Sequence, residues 1–148
     1  MTIQQATPAD QAWVNHQYNS INFLPSDVNV DYVTIAFIDG QRAGLGRLVP
    51  IANNCWEMGG MYVLPEFRKR GVAGEIVAHL IEKKAEYEGV LWCIPFRHLV
   101  SFYARYGFEE IEPTKVDIPQ KILEKHNWCD SHYDKGVAFM LLKVSQKM

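Results

Sequence analysis

Arg68-Lys69-Arg70-Gly71-Val72-Ala73-Gly74 places three cations directly ahead of the most regular helical pattern in the chain. From Gly71 to Glu88 the apolar residues Val72, Ala73, Ile76, Val77, Leu80, Ile81 and Ala85 recur at helical spacing, with Glu75, His79, Glu82, Lys83 and Glu86 between them. Cations at a helix N-terminus have the wrong sign for the helix dipole, which favours anions there, unless a negative ligand binds. Gly71, Ala73 and Gly74 are small enough to let backbone N–H groups approach such a ligand closely, as in other phosphate-cradling turns. A pyrophosphate fits this logic, and a solvated basic turn with a glycine entry fits the same residues. Neither Gly-x-x-x-x-Gly-Lys-Ser/Thr nor a Gly-x-Gly-x-x-Gly following a strand is present.

Working upstream, Cys55 to Val63 reads as a strand that ends before Pro65. Gly59-Gly60 inside it marks either a bulge or a place where another molecule lies against the backbone. Tyr32 to Ile38 is rich in β-branched and aromatic residues, and Asp39-Gly40 turns it into a second strand, Gln41 to Val49, which Pro50 and Asn53-Asn54 should break. After a short opening strand, Thr7-Pro8-Ala9-Asp10 has the residues of a helix start, with the helix running to about Ser20.

Downstream, Gly89 should stop the long helix, and Val90 to Ile94, closed by Pro95, reads as a buried strand. A helix from Phe96 to Tyr106, a strand from Phe108 to Ile111, a short helix from Pro119 to His126 and a closing strand from Val137 to Val144 follow. The order β-α-β-β-β-α-β-α-β is that of an α/β domain with a mixed sheet. No repeat, low-complexity tract or linker divides the 148 residues, so one domain is expected.

The spacing Arg68, Gly71, Ala73 resembles the acyl-CoA signature of the GNAT superfamily, Arg/Gln-x-x-Gly-x-Gly/Ala. Met61-Tyr62-Val63-Leu64-Pro65-Glu66-Phe67 is similar to the end of that family's fourth strand, and Phe102-Tyr103-Ala104-Arg105-Tyr106-Gly107-Phe108 to its Phe-Tyr-x-x-x-Gly-Phe motif. The resemblance extends to about Ile111, and 112–148 matches only as a helix-strand extension. It implies a mixed, mostly antiparallel sheet, splayed at the acyl-CoA site and flanked by helices. It also implies an enzyme moving acetyl from acetyl-CoA to a primary amine of a small molecule or peptide by direct transfer. Backbone groups of Met61 and Val63, beside Tyr62, would pair with the pantetheine, giving Gly59-Gly60 a reason. Those of Arg68, Lys69, Arg70, Gly71, Val72, Ala73 and Gly74 would hold the pyrophosphate. Where many members carry Asn, this chain has Phe96, which leaves the pantetheine without that amide.

An alkyl amine has a pKa of about 10.4, so about one molecule in a few thousand is a free base at pH 7 and a proton acceptor is needed. The resemblance points to Glu57, acting through water; Glu57 also faces Arg47 if the strand turn centres near Ala52, as half of a cross-strand ion pair. The departing thiolate, with a conjugate acid of about 8.5, needs modest help. By the resemblance Tyr103 lies near the sulfur and would donate a proton to it, and the same tyrosine also suits a core anchor. Arg97 and His98 begin that helix, toward an acceptor pocket or toward solvent. Cys93, between Trp92 and Ile94, reads as a buried thiol rather than a nucleophile.

Fifteen Lys and Arg against seventeen Asp and Glu, net charge −2, give no basic surface for nucleic acid. No apolar stretch has membrane-spanning length, and Met1 to Asp10 lacks a signal peptide's segments. With Cys55, Cys93 and Cys129 suited to reduced thiols, a cytoplasmic location is expected. His126, Cys129 and His132 are spaced to share a helix face but lack a fourth zinc ligand, so no metal is expected. Acceptor choice falls to the loop Asn22 to Asn29 and to Glu112 to Asp134. A homodimer is left open, as is a second class of function, a non-catalytic acyl-CoA-binding sensor module; a protein-modifying acetyltransferase would call for a broad acidic groove.

Overall fold

The computed structural model describes residues 1–84 and 89–144, and the side chains of all of these except 84, 143 and 144. The elements follow in the order β1 (Thr2–Gln5), α1 (Gln11–Ser20), β2 (Tyr32–Ile38), β3 (Gln41–Ala52), β4 (Cys55–Val63), α2 (Val72–Lys84), β5 (Gly89–Cys93), α3 (Val100–Ala104), β6 (Glu109–Glu110), α4 (Gln120–His132) and β7 (Met140–Val144). The strands are hydrogen-bonded in the order β1-β2-β3-β4-β5-β7-β6. β1 with β2, β2 with β3, β5 with β7 and β6 with β7 are antiparallel, and β4 with β5 is parallel. This is the expected mixed, mostly antiparallel sheet. Two compact units divide the chain, Met1–Val49 with Gly60–Lys83 and Pro50–Gly59 with Lys84–Met148.

In the first unit, the backbone N–H of Thr7 donates to Asp10 Oδ2 at 2.9 Å, half of the capping box that starts the helical segment. That bond, with Arg42 at 2.8 Å, holds the Asp10 carboxyl below its ordinary pKa. α1 then buries Val14 and Tyr18, one turn apart, into a core with Val28, Val33, Ile35 and Leu45. Asp39 and Gly40 both take positive φ, 50° and 76°, which a tight hairpin turn requires, so β2 runs directly into β3. α2 buries Val72, Ile76, Val77 and Leu80. It can approach β3 because Gly44 and Gly46 carry no side chain: a Cβ on Gly46 would lie 2.8 Å from Ile76 Cγ2, and one on Gly44 3.1 Å from Val72 Cγ1.

The second unit is centred on β5. Its parallel register with β4 runs from Cys55↔Val90 to Met58↔Cys93 and ends there. Trp92, Ile122, Phe139 and Leu141 form its core with Cys55, and Ile122 and Cys129 are the buried residues of α4.

Several boundaries differ from the sequence reading. β3 continues through Pro50 to Ala52 because its pairing with β2 stops at Tyr32↔Leu48, so no β2 ladder bond is missed for want of the proline N–H. The helix expected over Phe96 to Tyr106 is a 3-10 turn, Arg97–Leu99, followed by the short α3. β6 is only two residues, α4 runs on to His132, and β7 begins at Met140, with Val137 reduced to an isolated bridge to Phe96. The end of the long helix expected over 85–88 lies outside the described residues.

Candidate active site

The turn before α2 is built by two left-handed residues. Lys69 has φ 64° and Gly71 φ 77°, so two left-handed residues, one of them a glycine, shape the turn. A Cβ built on Gly71 meets nothing within 4 Å, so space for a ligand is present there. Val72 is buried while Arg68, Lys69, Arg70 and Gly71 are exposed, so the apolar face of α2 anchors the turn and leaves its backbone accessible. Two of the cations are steadied by aromatic faces, Arg68 over Tyr62 at 5.9 Å and Arg70 over Phe67 at 5.6 Å. Arg68 Nε also donates to the carbonyl of Val63 at 3.1 Å. That carbonyl therefore has one lone pair left, and Val63 is a poorer pantetheine acceptor than the sequence alone suggests.

Glu57 is held differently from the sequence expectation. Its side chain is 3% exposed, and its Oε1 accepts from Lys125 Nζ of α4 at 2.5 Å. Glu57 is thus the partner of Lys125, and the cross-strand pair with Arg47 is not formed. Arg47 Nε and Nη1 are buried and have no hydrogen-bond partner among the described residues. Gly59 makes room for the Glu57 carboxylate, since a Cβ there would lie 2.9 Å from Oε2. Gly60, at φ 62°, is required by crowding from the Tyr18 hydroxyl and from Arg47 Nε, 2.9 Å from a Cβ built there. Protein groups of this chain therefore account for both glycines without a ligand.

Tyr103 is buried between Phe102 and Phe108, both edge-on to its ring. Burial first, then the neighbouring Cys93 and Glu57, push its phenol well above the ordinary value. Burial likewise pushes up the Cys93 thiol, with Glu57 adding and Lys125 opposing. A thiol so disposed is held protonated and makes a poor nucleophile. Arg97 points at Glu110, 3.0 Å away, and His98 stacks on Phe96. His126 stacks on Phe139 and His132 on Trp128, whose carbonyl lies 2.8 Å from its Nδ1. Among the described residues no group of three His, Cys, Asp or Glu is placed to hold a metal ion.

Residues 29–110, more than half of the sequence, match the family described as acetyltransferase (GNAT) domain. The chain belongs to the GNAT acetyltransferase family. It is an acyl-CoA-dependent N-acetyltransferase. No curated protein sequence matches this GNAT chain significantly. Solved structures share its fold at low identity. The Mycobacterium tuberculosis protein Rv2747, in complex with CoA, superposes with a TM-score of 0.76 at 17% identity, covering 98% of this chain and 100% of that one. The ribosomal-protein-S18-alanine N-acetyltransferase of Escherichia coli gives 0.71 at 14%, covering 99% and 96%. N-acetylglutamate synthase from Neisseria gonorrhoeae, complexed with CoA and N-acetyl-glutamate, gives 0.71 at 16%, over 97% of this chain and 35% of that longer one.

The GNAT motifs located the turn and the tyrosine; they did not reveal Lys125. One signal was in the sequence. Ile122, Lys125 and Cys129 stand at i, i+3 and i+7, so a lysine lies on the apolar stripe of a short helix and needs a partner there.

Proposed function

We propose that this GNAT enzyme transfers acetyl directly from acetyl-CoA to a primary amine of a small molecule or peptide, as one catalytic domain over 1–148 in which the loop Asn22 to Asn29 and the segment Glu112 to Asp134 shape acceptor choice. The observation that carries the cofactor half is the left-handed pair Lys69 and Gly71 beside open space at the start of α2. In this reading the backbone from Arg68 to Gly74 holds the pyrophosphate, and the end of β4, Met61 to Val63, accompanies the pantetheine.

Glu57, directly or through water, takes the proton of the bound ammonium, the freed nitrogen attacks the thioester carbonyl, the C–S bond breaks, and the second N–H proton is lost to solvent as the amide forms. Oε1 is engaged by Lys125, which leaves Oε2 as the accepting atom. The thiolate leaves with the Tyr103 hydroxyl as hydrogen-bond donor. A phenol held well above its ordinary pKa keeps its proton, so Tyr103 stabilises the developing charge, and solvent supplies the thiol proton. The cytosol is the compartment this reading implies, and Cys93 and Cys129 are free thiols. No helix among the described residues is long and apolar enough to cross a membrane.

Thiol release from acetyl-CoA over a library of primary amines tests the reading. Turnover with at least one amine, lost in Glu57→Gln at pH 7, is the expected result. Acetyl-CoA binding without turnover across the library would favour the sensor module instead.

A further inference from the structure

The guanidinium of Arg47 is the least compensated polar group among the described residues of this protein. Arg47 lies on β3 opposite Val33 and is only 4% exposed, and its Nε and Nη1 atoms are buried without a hydrogen-bond partner. The guanidinium lies over the face of Tyr18, whose ring centroid is 4.3 Å from Cζ. A cation over a ring recovers only a small part of the hydration lost on burial, and buried charges are ordinarily paired.

The surroundings indicate where a counter-ion would come from. Tyr18 stacks on Phe23 at 6.2 Å between centroids, and Phe23 belongs to the segment that leaves α1 through the left-handed Asn22. Tyr18 is thus in contact with both Arg47 and Phe23, the latter in that loop. The loop is itself fixed from α1: Gln11 and Asn15 both donate to the carbonyl of Ser26, Asn15 accepts from its N–H, and Gln11 accepts from Val28 N–H. Gly60 adds no side chain beside Nε. The phosphates of acetyl-CoA have their own place in the reading above, at the exposed cations of the Arg68 to Gly74 turn. The anion at Arg47 is therefore assigned to the acceptor.

We infer that Arg47 binds a carboxylate of the acceptor, so that the substrates of this enzyme are amines that also carry a carboxylate group. A planar guanidinium with free donors suits the two oxygens of a carboxylate better than a neutral amide, whose NH2 group would face a cation and donate to nothing. This inference names the acceptor class for the acetyl transfer proposed above and rests on that reading.

The test uses the purified full chain, saturating acetyl-CoA, and matched pairs of amino acids and their carboxamides, for example glycine with glycinamide and glutamate with glutamine α-amide. Acids should exceed amides about tenfold or more in kcat/KM. In Arg47→Met the acid rate should fall roughly 30-fold or more, mainly through KM, and the acid-over-amide ratio should collapse toward one. Arg47→Lys should restore part of it. The KM for acetyl-CoA should stay the same. Equal use of acids and amides by the wild type, or equal loss of both in Arg47→Met, overturns the inference. A second readout does not depend on turnover. Thermal melting should rise with the acids and not with the amides, and the rise should vanish in Arg47→Met, which should itself melt no lower than wild type without ligand. If no amine is acetylated while that shift is present, the transfer reading fails and the carboxylate site stands. If the shift is absent, or if Arg47→Met is grossly destabilised, Arg47 is a structural residue and the carboxylate site falls.

Discussion

Lys125 on α4 is bonded at 2.5 Å to Glu57 on β4, across 68 positions of sequence, with the carboxylate 3% and the ammonium 22% exposed. The pair ties the helix that sequence resemblance leaves unexplained to the residue proposed as base. Removing one partner of a buried pair leaves an uncompensated charge, which costs about 3–5 kcal/mol when burial is complete. Lys125 keeps some solvent, so Lys125→Met should cost less, about 2–3 kcal/mol. Lys125→Met with Glu57→Gln should recover much of that loss. Urea denaturation of both single variants and the double provides the cycle, and strict additivity would show that the two groups are not coupled.

The rate should respond to Glu57 in a pH-dependent way. With Glu57→Gln the amine must lose its proton to solvent, so kcat at pH 7 should drop by about 100-fold or more. The deficit should shrink as pH approaches the amine pKa of about 10.4, where free base is already present. A profile of Glu57→Gln parallel to wild type at full rate would leave Glu57 only its role beside Lys125.

How far the sequence carries can be seen at these same residues. The turn and α2 were legible because Gly71 and the apolar residues Val72, Ile76, Val77 and Leu80 encode their structure locally, through φ and through a 3.6 period. Asp39-Gly40 was legible for the same reason. Long-range pairing was not: Arg47 is the cross-strand candidate for Glu57, and nothing local distinguishes it from a lysine on a helix that begins at Gln120. Pro50 misled because its cost depends on whether a neighbouring strand needs its N–H, and β2 has already ended its pairing there. Gly44 and Gly46 carry no local signal, since their role is set by α2 lying against them.

Gly71→Val separates binding from folding. A left-handed φ costs a side chain roughly 1–2 kcal/mol, and the open space at Gly71 adds no collision, so the protein should remain folded with a slightly lower melting temperature. Acetyl-CoA affinity should fall at least about tenfold, since the added methyls stand where the pyrophosphate must meet the backbone. Calorimetric titration decides, and unchanged affinity in the folded variant would remove the turn from the site.

Gly60→Ala should show the opposite balance. Its Cβ would overlap the Tyr18 hydroxyl and crowd Arg47 Nε at a left-handed φ, so a single methyl should cost about 2–4 kcal/mol. Tyr18→Phe removes the overlapping oxygen at the expense of its hydrogen bond to the Gly60 carbonyl but leaves Cζ 2.8 Å from the new Cβ, so the pair Gly60→Ala with Tyr18→Phe should recover only part of the loss of Gly60→Ala alone. Denaturant midpoints of the three variants check the order.

Tyr103 gives a prediction in both rate and stability. Burial, Cys93 and Glu57 hold its phenol well above the ordinary value, so it stays protonated through the whole range in which the thiol titrates. A donor that never changes state gives a defect that never changes size. Tyr103→Phe should lower kcat by about 10- to 100-fold, and by the same factor from pH 6 to pH 9. A defect confined to pH below the thiol pKa, about 8.5, would instead mean that Tyr103 gives up its proton. The stability consequence follows from the same shift. A group whose pKa is raised in the fold deprotonates first in the unfolded chain. Stability is then complete below the unfolded value and is lost as pH climbs from there toward the folded one. Cys93, also raised by burial, should begin that loss above about 8.5 and Tyr103 should extend it above about 10, each by up to about 1.4 kcal/mol per pH unit. Wild type should therefore lose stability steadily from pH 8.5 upward, Cys93→Ala should delay the onset, and Tyr103→Phe should flatten the curve above pH 10. Denaturation midpoints measured every half unit from pH 7 to 11 would show it, and curves for the variants that merely run parallel to wild type would place the alkaline loss elsewhere in the molecule.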